Sequence, residues 1–125
     1  MNKTLNLNNG RSALDFGIKL LLLKKKSKIL VPEIICDIAV KVFLKNNLDI
    51  IYYKLDENFN PIWTELNKIS NSNITAILMV HYFGFPQNFD KFKKFSKKRK
   101  IFLIEDNCHS LAVPYKKERL GKIGD

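Results

Sequence analysis

The stretch "ITAILMVHYFGFP" (74–86) decides the fold. Its first seven residues are apolar on both faces, as a central strand of a parallel sheet must be when helices cover the sheet on both sides. Gly84 and Pro86 then interrupt the chain. Downstream, "NFDKFKKFSKKRK" (88–100) sets Phe89, Phe92 and Phe95 at helical spacing among lysines. This predicts a helix with a buried aromatic stripe and a solvated basic face. "IFLIE" (101–105) repeats the central-strand pattern, and "VPYKKERLGKIGD" (113–125) predicts a hairpin or irregular segment. Upstream, "LDIIYYKL" (48–55) and "KILV" (28–31) predict strands, the second stopping at Pro32. Ile35, Ile38, Ala39, Val42 and Phe43 form a helical stripe between them. Ala13, Phe16, Gly17, Leu20 and Leu21 predict a first helix, followed by Lys24, Lys25 and Lys26, cations suited to a helix C-terminus. Asn60 and Pro61 predict an N-cap and first-turn proline opening a helix through about Ile69. Strand and helix alternate throughout, which predicts an α/β fold: a mainly parallel sheet flanked by helices.

Bulk properties narrow the function classes. A chain of 125 residues, 46% hydrophobic, is at most one ordinary domain, with enough apolar mass for a core. The start "MNKTLNLNNG" is polar, without a secretory apolar region, and "IKLLLL" is interrupted by Lys19 and too short to span a bilayer. Cys36 and Cys108 lie far apart and form no metal-type pair, which reads as reduced thiols in a cytoplasmic protein. The net charge of +10 admits a nucleic-acid or membrane partner. That charge is carried by lysine, with arginine only at Arg11, Arg99 and Arg119, and solvated lysines account for it.

In open parallel sheets, ligands bind outside the carboxyl ends of the strands. The sequence places His81 and Tyr82 just past one such end, and Asp106 and His109 just past another. A carboxylate there can cap the next helix, bind a metal or hold a cationic heterocycle, and the i+3 spacing brings His109 to the same side as Asp106. "FLIEDN" resembles the acidic first strand of response-regulator receiver domains, but here it lies late in the chain rather than at its start. In "LNNGRSAL" (7–14), Gly10 permits a tight turn and Ser12 can cap the helix that follows. The free N–H groups at such a helix start attract phosphate, although many ordinary capped helices begin the same way.

Four segments, taken in order, resemble the DegT/StrS family of sugar aminotransferases. "NNGRSAL" is similar to the family's Ser-Gly-Thr-x-Ala-Leu phosphate turn, and "ILVPEIICDIAV" to its Val-Pro strand end and next helix. "AILMVHYFGFPQNFDKF" is similar to its Val-His-x-x-Gly-x-Pro segment, and "FLIEDNCHSLAVPYKKERLGKIGD" to its Glu-Asp-x-x-His/Gln stretch and Gly-Asp close. The resemblance implies pyridoxal phosphate (PLP) as cofactor on part of the fold-type-I large domain, over residues 1–125. It implies that Asp106 pairs with the pyridine nitrogen, that His109 lies beside the ring, and that Gly10, Arg11 and Ser12 form the phosphate turn. Cys36 falls where many members place a stacking aromatic residue, so stacking is reduced or supplied differently. Arg11 is unusual in its position, but leaves backbone binding intact.

The family's Schiff-base lysine lies beyond the Gly-Asp segment, in a Ser-x-x-Lys-like stretch. None of the lysines here matches it, and Lys122 belongs to "LGKIGD". The resemblance therefore implies an amino-terminal portion of the large domain. It implies, further, that the lysine segment and the small C-terminal domain are absent from these residues and that the chain is expected to be inactive alone. The implied partners are a nucleotide-linked keto-sugar, with glutamate as amino donor, and a second copy or complementing fragment. The competing readings are a noncatalytic partial domain or remnant that binds a partner and, further off, a basic nucleic-acid binder.

Overall fold

The apolar stretches form a four-stranded parallel sheet in the order β2–β1–β3–β4. The computed structural model describes residues 4–70, 72–110, 113–115, 118–122 and 124–125, with backbone alone at 118–119. The strands are β1 (Lys28–Pro32), β2 (Asp49–Tyr53), β3 (Ile74–Val80) and β4 (Phe102–Asp106). The helices are α1 (Gly10–Leu20), α2 (Asp37–Lys45), α3 (Trp63–Leu66) and α4 (Phe89–Arg99). A short antiparallel pair, β5 (Pro114–Tyr115) and β6 (Glu118–Arg119), makes the predicted hairpin. Leu111 and Ala112, part of the segment similar to the family's Glu-Asp stretch, lie outside the described residues.

Side chains alternate across a strand, and this parity sorts the core into two layers. Ile29, Val31, Ala76, Leu78, Val80 and Ile104 face one side, where Ile18 of α1 and Val42 and Phe43 of α2 pack on them. Leu30, Tyr53, Ile77, Met79 and Leu103 face the other, against Phe92 and Phe95 of α4, with Trp63 edge-on to both rings. The aromatic stripe predicted for α4 is thus core. Its lysines stay exposed, and Arg99 turns back to donate to the carbonyls of Ile69 and Asn67 at 2.8 and 2.9 Å.

Several predicted details are corrected. The buried face of α1 runs through Leu14, Gly17 and Ile18, while Phe16 and Leu20 are exposed, because α2 and the sheet contact the helix from one side only. Ile38 of the α2 stripe is likewise exposed. Pro61 opens no helix: it pairs with Leu55 in an isolated antiparallel bridge, and α3 starts two residues later behind Ile62. Pro32 ends β1 from inside the strand, and β4 extends one residue further than predicted, to Asp106.

β4 is tied down at Leu103 by the last described residue. Asp125 N–H donates to Leu103 O at 2.9 Å, and Leu103 N–H donates to Asp125 Oδ2 at 2.8 Å. Only glycine fits beside this contact: a Cβ on Gly124 would lie 2.9 Å from Leu103 O and 3.0 Å from Glu105 N.

Candidate active site

The strand order reverses between β1 and β3, because the chain leaves β1 toward β2 and later returns to build β3 and β4 on the other side. Such a switch point opens a crevice at the carboxyl ends of the two strands. Tyr82, just past β3, spans it: the hydroxyl donates to Ile34 O, just past β1. Burial first, then the charges of Asp106 and Glu33, push this phenol above the usual tyrosine range.

Asp106 shares its parity with Ile104 and therefore lies on the α1–α2 face of the sheet. It is half-buried, and its Oδ1 accepts from Cys108 N–H at 3.0 Å. The Cys108 thiol also donates to this carboxylate. That bond, burial and the Asp106 charge, with Cys36 adding a little, push the thiol up to about 11. The same sulfur lies 3.3 Å from where a Cβ on Gly10 would be, so the absent side chain at Gly10 leaves room for it. Asp106, Cys108 and the first turn of α1 thus border one space, with Cys36 close enough to affect Cys108.

The helix start departs from prediction in its capping. Asn9, not Ser12, caps α1: its Oδ1 accepts from Ser12 N–H at 2.9 Å. Gly10 adopts no left-handed turn; it is the first helical residue. Arg11 is exposed on that first turn. Cys36 precedes α2, exposed, without a side-chain capping bond. His109 is exposed and stacks on Phe83, with ring centroids 5.8 Å apart and planes 18° apart.

His81 is not in the crevice. Its side chain is fully buried, on the α4 side of the sheet with Glu105. Gln87 N–H donates to His81 Nδ1 at 3.0 Å, which makes Nδ1 the acceptor and leaves the proton on Nε2. Nε2–H then donates to Glu105 Oε1 at 2.9 Å. Glu105 also accepts from Gly121 N–H at 2.7 Å and Gly124 N–H at 3.1 Å. The two adjacent carboxylates therefore do different work, Glu105 binding the fold together while Asp106 faces the crevice. Sequence reasoning missed this pairing. Its signal was the register, which sets Val80 beside Asp106 and so brings His81 to the end of β4.

The model of the DegT/DnrJ/EryC1/StrS aminotransferase family matches residues 1–125. The chain belongs to this family. It is 31% identical over 103 residues to the GDP-4-keto-6-deoxy-D-mannose 3-dehydratase of Escherichia coli O55:H7, covering 82% of this chain and 26% of that protein. It is 30% identical over 121 residues to the UDP-4-amino-4,6-dideoxy-N-acetyl-beta-L-altrosamine transaminase of Campylobacter jejuni, covering 95% of this chain and 32% of that one. A solved E. coli GDP-4-keto-6-deoxy-D-mannose-3-dehydratase with bound hydrated PLP superposes with a TM-score of 0.82 at 28% identity, covering 92% of this chain and 31% of that one. An aminotransferase from Psychrobacter cryohalolentis shares the fold, with a TM-score of 0.83 at 20% identity over 93% of this chain and 30% of that one. The family member described here thus spans between about a quarter and a third of the length of these relatives. PLP is the family's cofactor, and the expected fold-type-I architecture stands.

The residues present fit that cofactor. A half-buried carboxylate and the amide-rich start of an eleven-residue helix border one crevice, as a ligand with a basic ring nitrogen and a phosphate requires. Among the described residues no helix is long and apolar enough to cross a membrane, and no cluster of three His, Cys, Asp or Glu is set to hold a metal.

Proposed function

We propose that these residues form the amino-terminal portion of the PLP-binding large domain of an enzyme that transfers an amino group to a nucleotide-linked keto-sugar. The observation carrying this reading is Asp106 at the end of β4, on the sheet face shared with the start of α1. PLP, when bound, supplies an electron sink for a carbanion at the substrate carbon. Asp106 holds a proton at the pyridine nitrogen, through a charge-assisted hydrogen bond worth about 1.5–3 kcal/mol. The amides of the first turn of α1 and the Arg11 guanidinium take the phosphate. Cys36 and His109 flank the ring.

Anchoring the cofactor covalently requires a lysine outside the motifs present in these 125 residues. The chain taken alone therefore does not turn over. It works as one part of a larger active site, in a homodimer or with a complementing segment. Dehydration of the keto-sugar is the second reading, favoured by the similarity to a 3-dehydratase.

The test is PLP retention after extensive dialysis, followed by absorbance, for the wild type and Asp106→Asn. The wild type retains one equivalent reversibly, and Asp106→Asn loses it about tenfold more readily. Borohydride reduction and peptide mapping label no single lysine stoichiometrically. Equal retention by the two proteins, or stoichiometric labelling of one lysine accompanied by amino transfer, overturns the proposal.

A further inference from the structure

Basic charge is concentrated on α4 and its C-terminal cap. Seven of the ten residues 91–100 are basic and none is acidic, within a chain of net charge +10. We infer that the outer face of α4 is a docking surface for an anionic lipid bilayer, held there by charge alone. The inference does not depend on the cofactor reading above.

The inner face of the helix is already occupied. Phe92, Phe95 and Ser96 are buried, and Arg99 donates to the carbonyls of Ile69 and Asn67 at 2.8 and 2.9 Å. Lys91, Lys94, Lys97, Lys98 and Lys100 stay exposed. Asp90, in the first turn, is the sole acid of the helix. Residues three or four apart are neighbours on a helix surface, and like charges at that spacing repel. Lys94 meets Lys97 and Lys98 in this way, and Lys97 meets Lys100. An opposing anionic surface turns that repulsion into attraction. Lys100 extends the row on left-handed backbone, φ 55° and ψ 46°, at the helix end where glycine is favoured. A lysine there strains the backbone and sets one more cation on the surface.

The chemistry of the face selects among polyanions. Arg99 is the only guanidinium of α4 and is engaged on backbone carbonyls, while Phe92 and Phe95 are in the core. The face therefore offers neither a bidentate fork nor a stacking ring to nucleic-acid bases. Lysine ammonium groups are point charges, and mobile lipid headgroups gather beneath them without a fixed register. The apolar side of α4 packs on the sheet, so nothing is left to insert into the acyl region. α4 covers the sheet face opposite Asp106, so a bilayer on its outer side leaves the crevice open. Each lysine close to an anionic bilayer strengthens binding about fivefold.

Flotation of the 125-residue chain with vesicles tests the inference, using phosphatidylcholine alone and equal parts of phosphatidylcholine and phosphatidylserine. The chain floats only with the anionic vesicles, and raising the salt from about 0.05 to 0.5 M releases it. Lys94→Gln combined with Lys98→Gln weakens binding roughly twentyfold. Lys24→Gln combined with Lys25→Gln removes the same charge from exposed positions after α1 and changes binding less than about twofold. Lys100→Gly weakens binding about fivefold yet raises the thermal midpoint by about 3 °C, because glycine relieves the left-handed backbone. That opposite movement separates docking from folding. Equal losses in the two double variants, flotation with neutral vesicles, or no flotation at all overturns the inference. So does tighter binding to mixed-sequence duplex DNA at the same salt, which makes the face a nucleic-acid surface instead.

Discussion

Replacing Glu105 by alanine tests the structural half of the acidic pair. The side chains of His81 and Glu105 are 0% and 4% exposed, so water cannot compensate for a lost bond. The substitution removes the acceptor of His81 Nε2–H and of Gly121 and Gly124 N–H. Each bond runs from a neutral donor to a carboxylate, and hydrogen bonds to a charged group are worth about 1.5–3 kcal/mol. The three bonds share one carboxylate and do not add, so about 3–5 kcal/mol is the expected total loss. With a urea m-value of about 1–3 kcal/mol/M, the midpoint falls by roughly 2 M. Circular dichroism during urea titration measures it. A parallel His81→Phe variant and the double mutant isolate the coupling, expected at about 1–3 kcal/mol. A midpoint shift below about 0.5 M for Glu105→Ala, or strictly additive losses in the cycle, would refute the reasoning, because Glu105 would then be a spectator.

Three other outcomes follow from the geometry. Gly124→Ala forces a Cβ to within 2.9 Å of Leu103 O, so the tie along β4 is lost or strained, costing about 1–3 kcal/mol by the same urea assay. Asp15, hydrogen-bonded by Lys19 and then by Asn46, has its pKa lowered from 3.8 to about 2, and a depressed carboxylate stabilises the fold above its unfolded value. That stabilisation fades as pH falls from about 4 toward 2, and Asp15→Asn flattens this acid limb in a pH series of thermal melts. Cys108, although exposed, is alkylated slowly by iodoacetamide at pH 8 because its thiol is held near 11. Asp106→Asn removes the carboxylate responsible and speeds Cys108 labelling, read by mass spectrometry.

The sheet was legible in the sequence wherever apolar residues ran unbroken. "ITAILMV" is β3 to the residue, and the strand pattern at 101–105 misses β4 by one position. The α4 stripe was legible because its three phenylalanines face a single partner layer. For α1 the apolar residues outnumber the face that the fold covers, and periodicity alone cannot say which of them turn inward. The Asn60–Pro61 signal misled because a proline at a bridge and one at a first helical turn look alike locally, and the contact with Leu55 decides between them. Asp106 could be singled out as a strand-end carboxylate. The burial of His81 could not, because it depends on which neighbouring strand ends beside it. Nor does the chain announce that a cysteine sulfur fills the space over Gly10, a contact between residues at opposite ends of the sequence.

The divergence of Glu105 and Asp106 to opposite faces bears on how β4 finds its place during folding. A slip of one residue would invert every side chain of the strand. Phe102, Leu103 and Ile104 are all apolar, and the next two residues are both acids, so the inverted strand would look nearly the same to either layer of the core. Hydrophobic pattern therefore does not choose the alignment. The choice falls to contacts made from outside the strand: His81 on the Glu105 carboxylate, and Asp125 on the Leu103 backbone. Both partners, His81 and Asp125, lie outside β4. The position of the Asp106 carboxylate is thus set by partners that the strand does not itself contain.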